Sequence, residues 1–524
     1  MAAIGPVSDS ASVGLITQRV YDVPTPLKGT AVRKFAAILG FLLTTCALAQ
    51  QERFTVVIDP ESHTEPFTGR IYVVFGDENA EPMSRLNAWF NPPPAVAWDV
   101  VDAKPGDTIV LDGFDISHAP AELGDSWRSG EWTLQAVARV NKDMPRPGEG
   151  AGDIYSSPVT VNLDDIGEGS SIADFSLDQI VGSREFESTE STFLFTTESK
   201  LLSDFHDRSV ELRASVTVPD SWHDNQDQVY PIVYYITGFG GNENEVKRYI
   251  QGIPHKDLIG DSIIVGLDAT NYWGHSVFAD SAVTGPWGEA LTTELIPQLE
   301  DRYRGPESAE HRYVTGISSG GWGSLWVQVE YPDVFAGTWS HVPDPVDFRA
   351  FQTVDITADD ANMYTDETGA RRPLGRNGDQ VMFWAEDFIA REQLLGPGGQ
   401  IRSFEAVFSP ALEDGSPARL FDVETGKIDP NIAEAWQKYD IRLKLEMELT
   451  ETGDDLAGKL HVFGGSMDNF YLGEAVGLLK ESLDGIGFDA QIEVIEGMPH
   501  TFHWEGDKEM WETIHKRWDE YGKK

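Results

Sequence analysis

From residue 209 the chain alternates between two kinds of apolar pattern. The run 209–218 alternates apolar and polar side chains, which predicts an early, antiparallel strand. Residues 230–236 and 262–267 are continuous apolar runs, the pattern of parallel strands buried on both faces. Between 287 and 303 the apolar positions Leu291, Leu295, Ile296 and Leu299 take helical spacing. An apolar run at 313–317 is followed by a Gly-rich turn and a predicted helix over 323–329. Further strands are predicted at 335–340, 460–463 and 491–495, with helices between them and a last helix over about 508–521. Alternating β and α elements predict a mostly parallel, doubly wound sheet. Residues 349–455 interrupt the alternation with a long, charged and aromatic insertion that includes Trp384, Phe404, Phe408 and Trp436. A lid over a site and a peripheral excursion both fit such a segment.

The first part of the chain reads differently. Short β-type runs at 53–58, 69–75, 108–111 and 132–138 are separated by turns rich in Pro, Gly, Asp and Asn. They predict a β-sandwich over 50–165, open to an immunoglobulin-like topology. Pro92-Pro93-Pro94 reads as a stiff turn, and His63, Asp115 and His118 as loop surface. The polar run 164–171 suggests a linker over 166–184, ahead of a second domain over 185–524. Before the sandwich, Arg33-Lys34, the apolar run 35–43 and Ala47-Leu48-Ala49 form a basic, apolar and small-residue succession. That is the pattern of a secretory signal peptide over about 32–49, too short in its apolar part to span a bilayer. It predicts export to the periplasm or beyond, with translation starting near Val32. A lipoprotein signal at Cys46 ranks second, because Thr45 is larger than the residue such signals place before the Cys.

Length and charge narrow the partners. The 524 residues suffice for two or three domains, and 40% apolar content supports a sizeable core. A net charge of −46 makes nucleic acid and anionic membrane surfaces poor partners. Cys46 is the single cysteine, so no intramolecular disulfide can form. No apolar run beyond the signal is long enough for a membrane span.

The chemistry gathers at Gly316-Ile317-Ser318-Ser319-Gly320, between the strand at 313–317 and the following helix. G-x-S-x-G in that setting is a nucleophile elbow: a strained turn lifts the Ser318 hydroxyl above the sheet, and glycines two positions away allow strand and helix to approach. The Ser319 N–H, at a helix N-terminus, is free to bind an oxyanion. A serine needs a base and the base an orienting acid, supplied in this fold from later strand ends in the order Ser, Asp, His. Asp468 follows the strand at 460–463 and His500 the strand at 491–495. Asp344, Asp347 and Glu496 compete as the acid, and His503 as the base. Thr237-Gly238-Phe239-Gly240-Gly241 follows an earlier strand and offers the second oxyanion donor, at Phe239 or Gly240. Tyr272, Trp273, His275, Trp287, Trp322 and His341 are candidates to line the substrate site. No metal site or nucleotide loop is legible, and no cofactor is implied.

Residues 315–323, Tyr331-Pro332-Asp333-Val334-Phe335, Gly465-x-x-Asp468-Asn469-Phe470-Tyr471 and Gly497-x-x-His500 together resemble the putative esterase family of α/β-hydrolases. That family holds esterase D-like, feruloyl and enterochelin esterases and mycolyltransferases. The resemblance spans about residues 185–524 without the insertion. It implies an α/β-hydrolase fold, with Ser318 as nucleophile, Asp468 as acid, His500 as base, and Ser319 and Phe239 at the oxyanion hole. A leading β-sandwich is similar to the enterochelin esterase layout. Thr237 stands where many relatives have His. An anionic siderophore would need basic residues, for which Arg248, Arg371, Arg372 and Arg376 are available, but the overall charge argues against it. The expected activity is hydrolysis of a small-molecule or glycan-linked ester by an exported enzyme. An acyltransferase on the same triad and an inert, ligand-binding hydrolase fold are the alternatives.

Overall fold

The computed structural model describes residues 53–77, 81–112, 129–166 and 170–521, with Arg53, Asp112 and 448–454 described by backbone alone. All lie in the compact unit Gln50–Lys524. The signal-peptide segment, Cys46, Asp115 and His118 fall outside the described residues.

The central sheet has eight strands: β1 (Thr192–Glu198), β2 (Glu211–Thr217), β3 (Ile232–Ile236), β4 (Ile263–Leu267), β5 (Arg312–Ile317), β6 (Gly337–His341), β7 (Leu460–Gly465) and β8 (Gln491–Ile495). They run in the order β1-β2-β4-β3-β5-β6-β7-β8. β1 and β2 join antiparallel, as the alternation at 209–218 predicts, and every pair from β4 to β8 is parallel. The continuous apolar character of β3 has a direct cause. Ile232, Tyr234 and Ile236 enter the core on one face, while Val233 and Tyr235 enter the core on the other. A strand covered on both faces cannot place a polar side chain without burying it. The helices that position the site are α1 (Ser319–Glu330), α2 (Ala385–Leu395), α3 (Gln400–Phe408), α4 (Gly473–Ile486) and α5 (Trp504–Tyr521). The mixed sheet with its helices fits the α/β arrangement that the alternation of elements predicts.

Residues 53–180 build a three-stranded and a six-stranded sheet. Phe54, Val56 and Ile58 of the first share one apolar cluster with Ile71, Val73 and Phe75 of the second. The stretch expected to be a linker is corrected here. Ser171–Leu177 pairs in parallel with Arg53–Ile58, and Gln179–Ile180 pairs with Ile154–Tyr155. The polar run at 164–171 drew that boundary too early, because Ile172, Ala173, Phe175 and Leu177 just beyond it are buried.

The other face of the six-stranded sheet is also covered. Tyr72, Val74, Ala95, Ala97 and Val137 pack with Leu394 of α2, inside the insertion. The Tyr72 hydroxyl donates to the Leu395 carbonyl at 2.6 Å, and Arg70 donates to the carbonyls of Gln393 and Leu394. Arg139 reaches the Pro397 carbonyl at 2.5 Å and that of Tyr272 at 2.9 Å. The α2 end of the insertion is therefore clamped to the N-terminal sheet. Among the described residues no helix is long and apolar enough to cross a membrane.

Candidate functional site

The elbow forms where β5 meets α1. Ser318 has φ +59° and ψ −125°, a conformation L-residues rarely hold. Close approach explains the glycines. A Cβ at Gly316 would collide with the Gly320 carbonyl, and one at Gly320 with the carbonyls of Ile236 and Thr237. Three backbone hydrogen bonds hold the turn: the Ser318 N–H donates to His341 O at 3.1 Å, and the Ser318 carbonyl accepts from Trp322 N at 3.0 Å and Asp344 N at 3.2 Å.

Asp468 and His500 meet. His500 Nδ1 lies 2.7 Å from Asp468 Oδ2, and the second oxygen of this buried carboxylate accepts the Phe470 N–H at 2.8 Å. A carboxylate can only accept, so Nδ1 carries the proton and Nε2 keeps a free lone pair. Asn469 Oδ1 accepts the His500 backbone N–H at 2.9 Å, and the Phe470 ring stands edge-on to the imidazole at 4.9 Å. Arg376 fixes the acid loop by donating to the carbonyls of Asp468 and Ser466. The rival residues are occupied elsewhere. His503 Nδ1 accepts from the Gly506 N–H. Asp347 caps a short helical turn and pairs with Arg349 and Arg442. Glu496 is exposed.

Asp344 is the surprise. Among the described residues it is the hydrogen-bond partner of the Ser318 hydroxyl, at 3.5 Å, whereas His500 is not. It also takes the Ser319 hydroxyl at 2.5 Å and Gln400 Nε2 at 3.3 Å. Burial pushes its carboxyl up from 3.8 to about 6, against the pull of the Ser319 hydrogen bond. Asp344 enters the reading of the sequence only as a rival acid, whereas Gln400 lies in the insertion and carries no local signal.

The loop after β3 lies against the elbow. A Cβ at Gly238 would come within 3.3 Å of Ile317 O and of Ser318 Cβ. Among the described residues no hydrogen bond engages the N–H groups of Ser319, Phe239 or Gly240. His275 holds this loop from behind: its Nδ1 accepts the Val277 N–H, so its Nε2 donates to the Thr237 carbonyl at 3.0 Å. Burial lowers its pKa to about 4, which keeps it neutral.

Several expected lining residues are corrected. His275 is buried and acts on the loop, not on open space. His341 is wholly buried, held near a pKa of 3 by burial, and stacks on Phe463. Trp322 is core, stacked on Trp326 at 5.1 Å. Trp287 is buried with its indole N–H on the Thr284 carbonyl. Apolar bulk beside a strand end serves packing as readily as binding. Tyr272 and Trp273 keep some exposure but are covered by the guanidinium groups of Arg139 and Arg402. Arg371 pairs with Asp387, Arg372 binds backbone carbonyls, and Arg248 pairs with Glu245, so each is already engaged.

The sequence missed a wall contributed from the N-terminal part. The Trp89 ring packs on Phe239 at 5.8 Å, Phe388 at 5.5 Å and Phe470 at 5.8 Å. The Arg146 guanidinium fills the space that a side chain at Gly240 would need. No local pattern marks either residue. Among the described residues no group of three or more His, Cys, Asp or Glu side chains is arranged to hold a metal ion.

Residues 209–446 match the family model described as "Putative esterase". An esterase of Mycobacterium tuberculosis is 29% identical over 131 residues, which cover 24% of this chain and 28% of that protein. The match thus spans little more than a quarter of the relative's length. Among solved structures, a ferulic acid esterase aligns with 15% identity and TM-score 0.34, covering 62% of this chain and 97% of its own. An S-formylglutathione hydrolase from Agrobacterium tumefaciens aligns with 16% identity and TM-score 0.36, covering 62% and 94%. Over residues 209–446, a little under half of its length, the chain is therefore similar to the putative esterase family.

Proposed function

We propose that this protein is an exported serine carboxylic-ester hydrolase with Ser318 as nucleophile, His500 as base and Asp468 as orienting acid. The observation that carries the reading is the 2.7 Å contact between His500 Nδ1 and Asp468 Oδ2, beside a serine strained at φ +59°. In this reading Ser318 Oγ attacks the ester carbonyl as His500 Nε2 takes its proton. The tetrahedral oxyanion accepts from the Ser319 N–H and from that of Phe239, with Gly240 as the alternative donor. His500 then protonates the leaving alcohol, and water attacks the acyl-enzyme by the same route. The Ser318 hydroxyl rotates from Asp344 to His500 when substrate enters; a nucleophile–base bond is often completed only in the complex. The two N-terminal sheets form a sandwich whose loops complete the substrate site.

The test is hydrolysis of a 4-nitrophenyl ester chain-length series by the protein from Gln50 onward and by Ser318→Ala. The variant should lose at least about 10³-fold in kcat, and a fluorophosphonate should label the wild type at Ser318 alone. Equal activity in both proteins would refute the serine mechanism.

A further inference from the structure

A cavity of about 180 Å³ opens between the N-terminal loops and the insertion, next to the elbow. Its walls include Trp89, Phe90, Phe239, Phe383 and Phe388. The rings form one continuous surface, with Phe383 stacked on Phe388 at 5.3 Å and Trp89 edge-on to Phe388 at 5.5 Å. The inner end reaches the reacting groups from two sides. Phe239 belongs to the loop packed on Ser318, and Gln400, which also lines the cavity, donates to the Ser319 hydroxyl at 3.1 Å. The space accommodates a ring or a short alkyl chain with one polar end.

The charges along this wall are not neutral. Arg391 of α2 lines the cavity, and among the described residues its Nη2 alone has a hydrogen-bond partner, the Leu86 carbonyl at 2.7 Å. Its Nε and Nη1 are buried without any hydrogen bond, and among the described residues no carboxylate pairs with it. Burial pulls this guanidinium down to about 10. The two acids on the same wall are engaged elsewhere. Asp387 pairs with Arg371 at 2.7 Å, and the Glu392 carboxylate accepts the N–H groups of Ile401 and Arg402. Arg146 stands at the rim, with Glu149 at 3.5 Å as its partner. Among the described residues, a chain with a net charge of −46 thus leaves the largely buried guanidinium of Arg391 without an anionic partner beside an aromatic cavity at its candidate active site. A buried charge without a partner is costly, and a ligand anion would relieve that cost. A planar guanidinium suits a carboxylate.

We propose that this cavity receives the non-reacting end of the ester substrate, and that this end is a carboxylate on an aromatic or short apolar body, anchored by Arg391 with Arg146 at the mouth. The inference rests on the ester-hydrolase reading above.

The experiment compares mono-4-nitrophenyl esters of straight-chain diacids of about four to eight carbons with the same esters methyl-capped at the far carboxylate. At one chain length the free carboxylate should be preferred by about tenfold in kcat/KM, and Arg391→Met should bring that ratio close to one. A capped ester preferred at every length, or a ratio unmoved by Arg391→Met, overturns the proposal. If Arg391→Met does not fold, Arg146→Gln takes its place and should lower the same ratio about two- to fivefold. Calorimetry on Ser318→Ala separates the two readings. Phenylacetate should bind, and phenylacetamide should bind at least about tenfold more weakly. Equal binding of the two sinks the carboxylate site even if esters are hydrolysed. Preferential phenylacetate binding by a protein that hydrolyses no ester keeps the site and sinks the hydrolase reading.

Discussion

Asp468 and His500 come from neighbouring strand ends, β7 and β8, and meet through one hydrogen bond of 2.7 Å. Trp89 and Phe239 come from different sheets and meet through ring packing at 5.8 Å. The first pair is part of the candidate reacting end; the second is part of the wall that faces it. At the reacting end the positions are set by close backbone approach and one gripping side chain: an elbow in which no side chain fits at 316 or 320, and a carboxylate loop held by Arg376. The wall is assembled from an N-terminal loop, a loop after β3 and an insertion helix. The difference predicts that a substitution in the wall away from Phe239, whose N–H is also the proposed oxyanion donor, can damage binding while sparing the reacting end.

The sharpest test of this division is Asp468→Asn. Asparagine can present its amide to Nδ1 and favour the wrong imidazole tautomer, so kcat should fall on the order of 10³- to 10⁴-fold with folding intact. Loss of only a few-fold would mean that Asp344 serves as the acid. Next in size is Gly238→Ala. The new Cβ, at 3.3 Å from Ile317 O and Ser318 Cβ, pushes the loop off the elbow and moves the proposed oxyanion donor. We expect kcat to fall about 10- to 100-fold with KM little changed. A purely rising KM would show that the loop belongs to the wall alone.

Asp344 links the two ends and gives a pH signature. Its carboxyl rises from 3.8 to about 6 through burial, so between those values the folded chain holds a proton that the unfolded chain has released. Folding therefore loses stability as pH climbs through that window, and the penalty persists above 6. Asp344→Asn removes the charge and hence the penalty. The variant should gain up to about 3 kcal/mol over wild type at pH 8, and much less at pH 4, as read by denaturant melts. A gain equal at both pH values would place the effect in packing.

The parts legible in the sequence were those set by local pattern. Continuous apolar runs gave β3 and β4, because both faces of those strands are buried. The spacing of Gly316, Ser318 and Gly320 gave the elbow, because steric contact within five residues dictates it. Asp468 and His500 could be picked because each follows a recognisable strand end. The wall was not legible. Trp89, Arg146, Gln400 and Arg391 acquire meaning only from partners far away in the chain, and each alone resembles ordinary surface or helix. The same limit holds for His275, His341 and Trp322: position near a strand end does not reveal whether a side chain turns to the cleft or to the core. It also explains the misplaced linker, since the pairing of Ser171–Leu177 with Arg53–Ile58 is long-range.

The smallest expected effect probes how firmly the wall is held. The Tyr72 hydroxyl is buried and donates to the Leu395 carbonyl at the C-terminal end of α2 at 2.6 Å. Tyr72→Phe keeps the ring in its cluster with Val74 and Leu394 and removes one hydrogen bond. Stability should fall by about 1 kcal/mol. Arg70 and Arg139 still grip Gln393, Leu394 and Pro397, so α2 should stay in register and hydrolysis of a short 4-nitrophenyl ester should persist. Hydrogen exchange on α2 should rise while exchange on β5 does not. Faster exchange on both would mean that the wall and the reacting end unfold as one unit, and the separation drawn between them would then be geometric without being energetic.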